Sequence, residues 1–294
     1  IKSVNMAKRL IRGFKPDIAI GVGGYASAPL LWAASRMGIP TLIQEQNGYA
    51  GLTNKIVGKK AKSICVAYEG MERFFPADRI VMSGNPIRKE IVPATPEMKE
   101  EAYRFYGLDP QKKHIFIVGG SLGSGTLNNA MKKWISDGCP GGKDIEVIWQ
   151  CGKYYRKSVD AFMEEAKAAG KPVEGIRYSD FIMRMDLAYA AADVVVSRAG
   201  AGTISELCVA GKCTIFVPSP VVAEDHQTHN AMALVNKNAA LMVKDADALE
   251  KLLPCVEQLL ADEQAIKGYE GNITALAKKN AAADIAAECL KLAK

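Results

Sequence analysis

A chain of 294 residues, 49% hydrophobic and with 26 Gly and 13 Pro, is long enough for two ordinary domains with real cores. A disordered tail, a collagen and a disulfide mini-protein are excluded. Charge is uneven beneath the net +6: residues 1–95 carry 14 Lys/Arg against 6 Asp/Glu and the remainder 24 against 26, which suits either a domain facing a polyanion or anionic membrane surface or a solvated face.

Seven cysteines (65, 139, 151, 208, 213, 255 and 289) are odd in number and form no C-x-x-C pair. They indicate neither a disulfide framework nor a thiolate zinc site, and suit a reducing, cytosolic setting. Cys208 and Cys213 lie in a small-residue apolar stretch where buried thiols are expected rather than ligands.

The first residue is Ile, and the chain opens inside an amphipathic helical pattern (Val4, Ala7, Leu10, Ile11, Phe14) with no strand before it, so its start reads as cut. Residues 18–35 carry no charge, but Gly21, Gly23, Gly24 and Pro29 break the run, which is therefore no membrane span. No secretory signal is visible.

Apolar runs then alternate with helical ones. IAIGVGG (18–24), TLIQ (41–44), SICVA (63–67) and RIVMSG (79–84) read as strands, the first followed by a helix near 28–37. Thr95 and Pro96 read as an N-cap and first helical position, placing a domain boundary near 92–96. The second block predicts five strands: HIFIVGGS (114–121), IEVIWQCG (145–152), IRYSDF (176–181), DVVVSRAG (193–200) and CTIFVPSP (213–220). Helices or turns separate them, which implies a parallel sheet with right-handed crossovers. After residue 226 the pattern is helical almost to the end. Three spans result: 1–92, 93–273, and a terminal helix over 274–294, for which packing back on the first domain is one expectation.

In such sheets ligands bind beyond the carboxyl ends of the strands. After HIFIV comes Gly119-Gly120-Ser121-Leu122-Gly123-Ser124-Gly125, which reads either as a phosphate-binding turn or as a tight strand-to-helix turn. After DVVVSR comes Ala199-Gly200-Ala201-Gly202-Thr203-Ile204-Ser205-Glu206. Glu206 is expected in the first turn of a helix, either accepting both hydroxyls of a ribose or balancing the helix dipole. Two such turns in one sheet favour a nucleotide diphosphate. After CTIFVPSP, the cluster Glu224 to Asn230 holds His226 and His229, three apart, and hydrogen bonding to a polyhydroxyl ligand is preferred there over zinc, with plain capping as the other reading.

In the first block, Gly21 to Tyr25 and Gln44-Glu45-Gln46-Asn47-Gly48 follow strands and are expected to face the same cleft as those turns. Glu45 reads as a desolvated base or a solvated loop acid. Asn85-Pro86-Ile87-Arg88 places an Arg at the hinge, suited to clamping phosphate oxygens. Asp245-Ala246-Asp247 reads as a helix N-cap rather than a metal-binding D-x-D. Asn272-Ile273-Thr274 matches a glycosylation sequon, without meaning in a cytosolic protein.

GVGGYASAP, QEQNGYAGLTNK, SGNPIRKE, GGSLGSGTLN, SRAGAGTISE and VPSPVVAEDHQTHNA, in this order and spacing, resemble the MurG family of bacterial glycosyltransferases over nearly the whole chain. The resemblance implies a GT-B fold, two Rossmann-like parallel-sheet α/β domains facing a cleft, the first incomplete here. It implies inverting transfer of GlcNAc from UDP-GlcNAc to the C4 hydroxyl of the muramyl sugar of undecaprenyl-diphospho-MurNAc-pentapeptide (lipid I), giving lipid II for peptidoglycan. By the same motifs Ser121 contacts the donor diphosphate, Arg88 its oxygens and Glu206 the ribose. Ile182 offers backbone groups to the uracil, Ala201, Gly202, Thr203, Ile204 and Ser205 line the nucleotide, and Gln227 and Asn47 hold the sugar. His226 stands where relatives often have Gln, and Gln44 where they often have His. The family's first glycine-rich G-G-T-G-G-H loop, with its candidate His base, is absent, so the 294 residues read as a fragment of a complete enzyme.

Transfer needs a deprotonated acceptor and neutralisation of the departing UDP. With no metal cluster or cofactor indicated, the second task falls to the helix N-termini at Ser121 and Ala201–Thr203 and to Arg88. Glu45 is the best carboxylate base left. The rival activities are a UDP-GlcNAc 2-epimerase of the same fold and a truncated module that binds donor without transfer. The basic first domain, with Lys55, Lys59, Lys60, Lys62 and Arg73 near Phe74-Phe75, suits peripheral docking on the cytoplasmic face of the inner membrane, and no nucleic-acid partner is implied.

Overall fold

Short apolar runs bounded by glycine and polar residues become strands, and among the described residues ten of them build two sheets whose central strands are buried on both faces. The computed structural model describes residues 2–139 and 142–293. Ile1 and Lys294, the ends of the predicted first and last helical stretches, lie outside the described residues. In chain order the elements are α1 (Lys2–Phe14), β1 (Ala19–Gly21), α2 (Ser27–Arg36), β2 (Thr41–Glu45), α3 (Leu52–Gly58), β3 (Ser63–Val66), β4 (Ile80–Met82), α4 (Pro96–Tyr106), β5 (Lys113–Val118) and α5 (Gly125–Ser136). Then come β6 (Ile145–Gln150), α6 (Arg156–Ala168), β7 (Ile176–Ser179), α7 (Met185–Ala191), β8 (Val194–Ser197), α8 (Ala201–Ala210), β9 (Thr214–Phe216) and α9 (His226–Val235). The chain finishes with β10 (Leu241–Met242), α10 (Ala248–Leu260), α11 (Glu263–Thr274) and α12 (Ala281–Leu292).

The residues divide into two compact units, Ile1–Ile87 with Val222–Asn230 and Lys278–Lys294, and Arg88–Val221 with Ala231–Ala277. The division falls at residue 87/88, a few residues before the expected 92–96, and the Arg88 side chain is hydrogen-bonded to Glu206 within the second unit. Residues 222–230, expected with the second domain, group with the first.

In the first unit β1-β2-β3-β4 form a parallel sheet, with Ile43 opposite Ile64. α1 turns Ala7 and Ile11 inward, where they meet Leu31, Ala34, Ile43, Ile64 and Val66 in one core. Gly84 has φ +80, and a Cβ there would stand 2.4 Å from Lys278 Cβ, so only glycine lets the 278–294 segment return this closely. Ser63 Oγ, donating to Glu288 Oε2 at 3.3 Å, ties α12 to β3.

In the second unit all strands are parallel in the order β10-β9-β8-β5-β6-β7. Ile115, Ile117, Val147, Trp149, Val194, Val196 and Ile215 pack with α5, α6 and α10 residues in one core, and Phe116, Val195 and Phe216 are buried too. Burial on both faces explains why these strands read as unbroken apolar runs. Thr95 caps α4, its hydroxyl accepting from Met98 N at 3.2 Å, with Pro96 at the first helical position, as expected.

Two sequence expectations change. The sheet has six strands rather than five, because Leu241–Met242 pairs with Ile215–Phe216, and two residues are too few to break a helical reading. α8 begins at Ala201, so Glu206 lies in its second turn rather than the expected first, too deep for dipole balancing at the helix start.

Candidate active site

The chain first lays down β5, adds β6 and β7 on one side, then returns to add β8 to β10 on the other. The direction reverses between β5 and β8, where Val118 pairs with Ser197. A reversal leaves a crevice at the carboxyl ends of the two strands, since their crossovers leave to opposite sides. Both glycine-rich turns, 119–124 and 198–200, leave from that point.

The first turn is built by close backbone contact. Gly123 has φ +81, and a Cβ there would lie 2.3 Å from Cys151 O. Gly123 N donates to Gly120 O at 3.0 Å, and Ser124 caps α5, accepting from Leu127 N at 3.3 Å. Ser121 is left exposed at the tip. α8 has no side-chain cap: Gly200 stands at the N-cap with no such hydrogen bond, leaving the first-turn amides of Ala201, Gly202 and Thr203 as ready anion donors. Ile204 N binds Gly200 O, and Ser205 Oγ turns back to Ala201 O.

Behind this helix start, Glu206 is nearly buried and fully engaged. Arg88 Nε donates to its Oε1 and Arg88 Nη2 to its Oε2, both at 2.9 Å, and Tyr189 OH donates to Oε2 at 3.2 Å. The two residues assigned to phosphate and ribose thus hold each other. Ile182 is buried on the β7–α7 connection. That connection is held to the first glycine turn by Gln150, whose Nε2 reaches Gly120 O at 3.0 Å and Asp180 O at 3.4 Å.

Arg198 donates to Val217 O at 2.9 Å and Pro218 O at 3.2 Å and pairs with Asp245. Asp245 also accepts from Thr126 Oγ1 at 3.1 Å. The aspartates expected as helix caps act otherwise: Asp245 is a bridge between loops, and Asp247, at the N-cap of α10, makes no side-chain capping bond.

In the first unit, Glu45 is 3% exposed and sits inside a loop folded around it. Its Oε1 accepts from Asn47 N at 3.1 Å and Asn47 Nδ2 at 3.5 Å, its Oε2 from Gly51 N at 3.0 Å and Asn54 Nδ2 at 2.9 Å. A general base must offer a lone pair to the proton it removes; these donors already take those of Glu45. Asn47 Oδ1 accepts from Asn230 Nδ2 at 3.0 Å, and Asn230 Oδ1 from Gly48 N at 2.8 Å. Gln44 Nε2 donates to Asn85 Oδ1 at 2.7 Å.

His226 Nδ1 lies 2.8 Å from Ala223 O, and His229 stacks on Tyr49 at 5.0 Å. Gln227 follows Glu224 and Asp225, both at left-handed φ (53° and 48°), the two residues forming the turn that opens α9. Lys55 Nζ sits 4.1 Å from the Tyr49 ring centre, Arg73 stacks on Phe74, and Phe75 is buried. The basic and aromatic cluster expected at a membrane surface therefore partly serves the unit's own packing.

Tyr189, Gln150 and Arg198 were not singled out in the sequence, and Asn230 only as the last residue of the polar cluster, without its tie to Asn47. Tyr189 sits in an alanine-rich helical run whose spacing signals only burial, and Asn230 is separated from Asn47 by 183 positions.

Two parallel-sheet α/β domains of this kind are the GT-B architecture of glycosyltransferases. Models described as the glycosyltransferase family 28 C-terminal domain and N-terminal domain match residues 114–289 and 1–66. The chain belongs to glycosyltransferase family 28. A Parabacteroides distasonis protein named UDP-N-acetylglucosamine--N-acetylmuramyl-(pentapeptide) pyrophosphoryl-undecaprenol N-acetylglucosamine transferase is 51% identical over 295 residues, covering 99% of this chain and 77% of that one. The crystal structure of Acinetobacter baumannii MurG is 30% identical with a TM-score of 0.76, covering 98% of this chain and 78% of that one. A structure titled putative UDP-N-acetylglucosamine 2-epimerase from Listeria monocytogenes has a TM-score of 0.67 at 13% identity, covering 97% of this chain and 77% of that one, and shares the fold alone.

Proposed function

We propose that this chain transfers GlcNAc from UDP-GlcNAc to the muramyl sugar of a pyrophosphoryl-undecaprenol-linked MurNAc-pentapeptide, lipid I, giving lipid II. The choice of transfer over isomerisation is carried by 51% identity across 99% of the chain to a transferase of that name; the 13% likeness to an epimerase carries no activity.

The geometry supports a division of tasks. The uncapped start of α8 and the Ser121 turn lie at the strand reversal, where amide dipoles can take the charge of a departing nucleoside diphosphate. Arg88 adds a guanidinium there, Glu206 accepts the ribose hydroxyls, and the backbone at Ile182 reads the uracil. Ala201 to Ser205 line the nucleotide. Asn47 and Gln227, with His226 beside it, are assigned to the sugar. In an inverting transfer the acceptor oxygen attacks the anomeric carbon, the bond to the diphosphate oxygen breaks, and the hydroxyl proton passes to a base. Of that base role, assigned to Glu45 by sequence, the surrounding donors leave Glu45 the task of holding the loop that carries Asn47.

The positive first unit supports docking at an anionic cytoplasmic leaflet, where a polyprenyl acceptor resides. No helix among the described residues is long and apolar enough to cross a membrane.

The test is an assay of UDP release with a lipid I analogue, run beside UDP-GlcNAc alone. Acceptor-dependent UDP release with a disaccharide product is expected. Conversion of UDP-GlcNAc to an isomer without acceptor, or donor binding with no transfer, overturns the reading.

A further inference from the structure

Glu206 is held from two sides by groups of opposite character. Tyr189 is 2% exposed, its ring packs edge-on against Phe116 of β5 at 5.7 Å, and its hydroxyl reaches Glu206 Oε2 from within the core. Burial, with the neighbouring carboxylate adding to it, raises its pKa well above 10, so the phenol stays a donor at any working pH. Arg88 approaches from the solvent side, with a side chain 48% exposed against 11% for Glu206. It occupies both carboxylate oxygens at once.

A ribose donating two hydroxyls to a carboxylate needs the same lone pairs that Arg88 fills. With Tyr189 counted, a ribose beside Arg88 would put five donors on two oxygens that offer about four lone pairs, so ribose and guanidinium compete for the carboxylate. A half-exposed guanidinium can leave for water or phosphate at small cost; a core phenol has nowhere to go.

We propose that Glu206 has one permanent and one exchangeable partner: Tyr189 is a positioning residue that fixes the carboxylate, while Arg88 covers it in the free protein and is displaced by a nucleotide's ribose. The freed guanidinium then serves the diphosphate, so ribose and phosphate recognition are coupled through one side chain. Uridine alone must break the Arg88 pair without gaining a phosphate contact for it, whereas UDP regains that contact. The inference rests on the assignment of Glu206 to the ribose made above.

Ligand-detected titrations with uridine, UDP and 2′-deoxy-UDP separate the possibilities. In Arg88→Gln, uridine is expected to bind about twofold to fivefold more tightly, the worth of a part-exposed ion pair, while UDP binds more weakly. In Tyr189→Phe, which keeps the ring, the preference for UDP over 2′-deoxy-UDP should fall roughly threefold or more, the scale of one hydrogen bond, with melting little changed. Uridine binding to Arg88→Gln no better than to wild type, or an unchanged ribose preference in Tyr189→Phe, overturns the exchange. Glu206→Ala, or Glu206→Gln should alanine not fold, is the control. If it keeps the wild-type ribose preference, the ribose assignment itself fails and the exchange with it.

Discussion

Glu45, at the end of β2, and Glu206, in the second turn of α8, are both nearly buried carboxylates, and what surrounds each differs in kind. The donors on Glu45 are backbone and amide N–H groups of one short loop, neutral and fixed, whereas Glu206 is faced by a half-exposed guanidinium. Glu45→Gln would turn an amide N–H toward at least one of those donors, leaving buried groups unpaired at a cost of about 1–3 kcal/mol. The expected outcome is a lower melting temperature together with reduced transfer, measured by calorimetry and by UDP release. A fall in turnover above about a hundredfold with melting unchanged would restore the base role. Ser121 and Glu206 drew notice in the sequence because each stands within or soon after a glycine-rich turn. Tyr189 did not, since its hydrogen bond spans 17 positions between two helices and nothing in an alanine-rich stretch announces it.

At the scale of the elements, the two turns at the strand reversal use glycine for different reasons. Gly123 combines φ +81 with a Cβ position 2.3 Å from Cys151 O, whereas at Gly200 a Cβ meets nothing nearer than Thr203 Oγ1 at 3.9 Å. Gly123→Ala should therefore cost roughly 2–3 kcal/mol of stability through strain and clash. Gly200→Ala should melt like wild type yet bind UDP more weakly, because an added methyl stands where an anion approaches the α8 amides. Thermal melts with and without UDP decide both; a Gly200→Ala protein with wild-type affinity would show that this glycine is not there for a ligand. The α8–β9 connection carries Lys212, 5% exposed, its Nζ donating to Ala192 O at 2.8 Å. Burial lowers its pKa to about 8 from 10.5. Above pH 8 the folded protein releases this proton while the unfolded chain keeps it, so the unfolded state binds more protons and this group's contribution to stability rises between pH 8 and 10.5. Buried thiols oppose it, since burial raises Cys208 and Cys213 to about 12 and stability falls as the unfolded thiols ionise above pH 9. The Lys212 part is thus read as a difference: relative to wild type, Lys212→Met should lose ground in melting temperature as pH goes from about 8 to 9. A constant offset would contradict it.

Over the molecule as a whole, charge distribution is the property most open to a simple measurement. With 14 basic against 6 acidic residues in positions 1–95, the chain should sediment with phosphatidylglycerol vesicles more than with neutral ones. Binding should weaken as salt rises from about 0.05 to 0.5 M, because screening shortens the reach of surface charge; salt-insensitive binding would refute an electrostatic contribution. The alternation of apolar and helical runs announced two parallel sheets, since strands buried on both faces must be continuously hydrophobic and parallel neighbours need a crossover. The glycine turns marked the loops at the strand reversal, because backbone that must bend sharply or come close shows itself as glycine whatever the surroundings. Other features were out of reach of one-dimensional reading. The pairing of Leu241–Met242 with β9, the grouping of 222–230 with the first unit, the enclosure of Glu45 and the partners of Glu206 all depend on which distant segments meet. Periodicity and spacing report a residue's local environment; a side chain's partner is chosen by packing between segments remote in sequence, and that choice surrounds Glu45 with neutral N–H donors and sets a half-exposed guanidinium on Glu206.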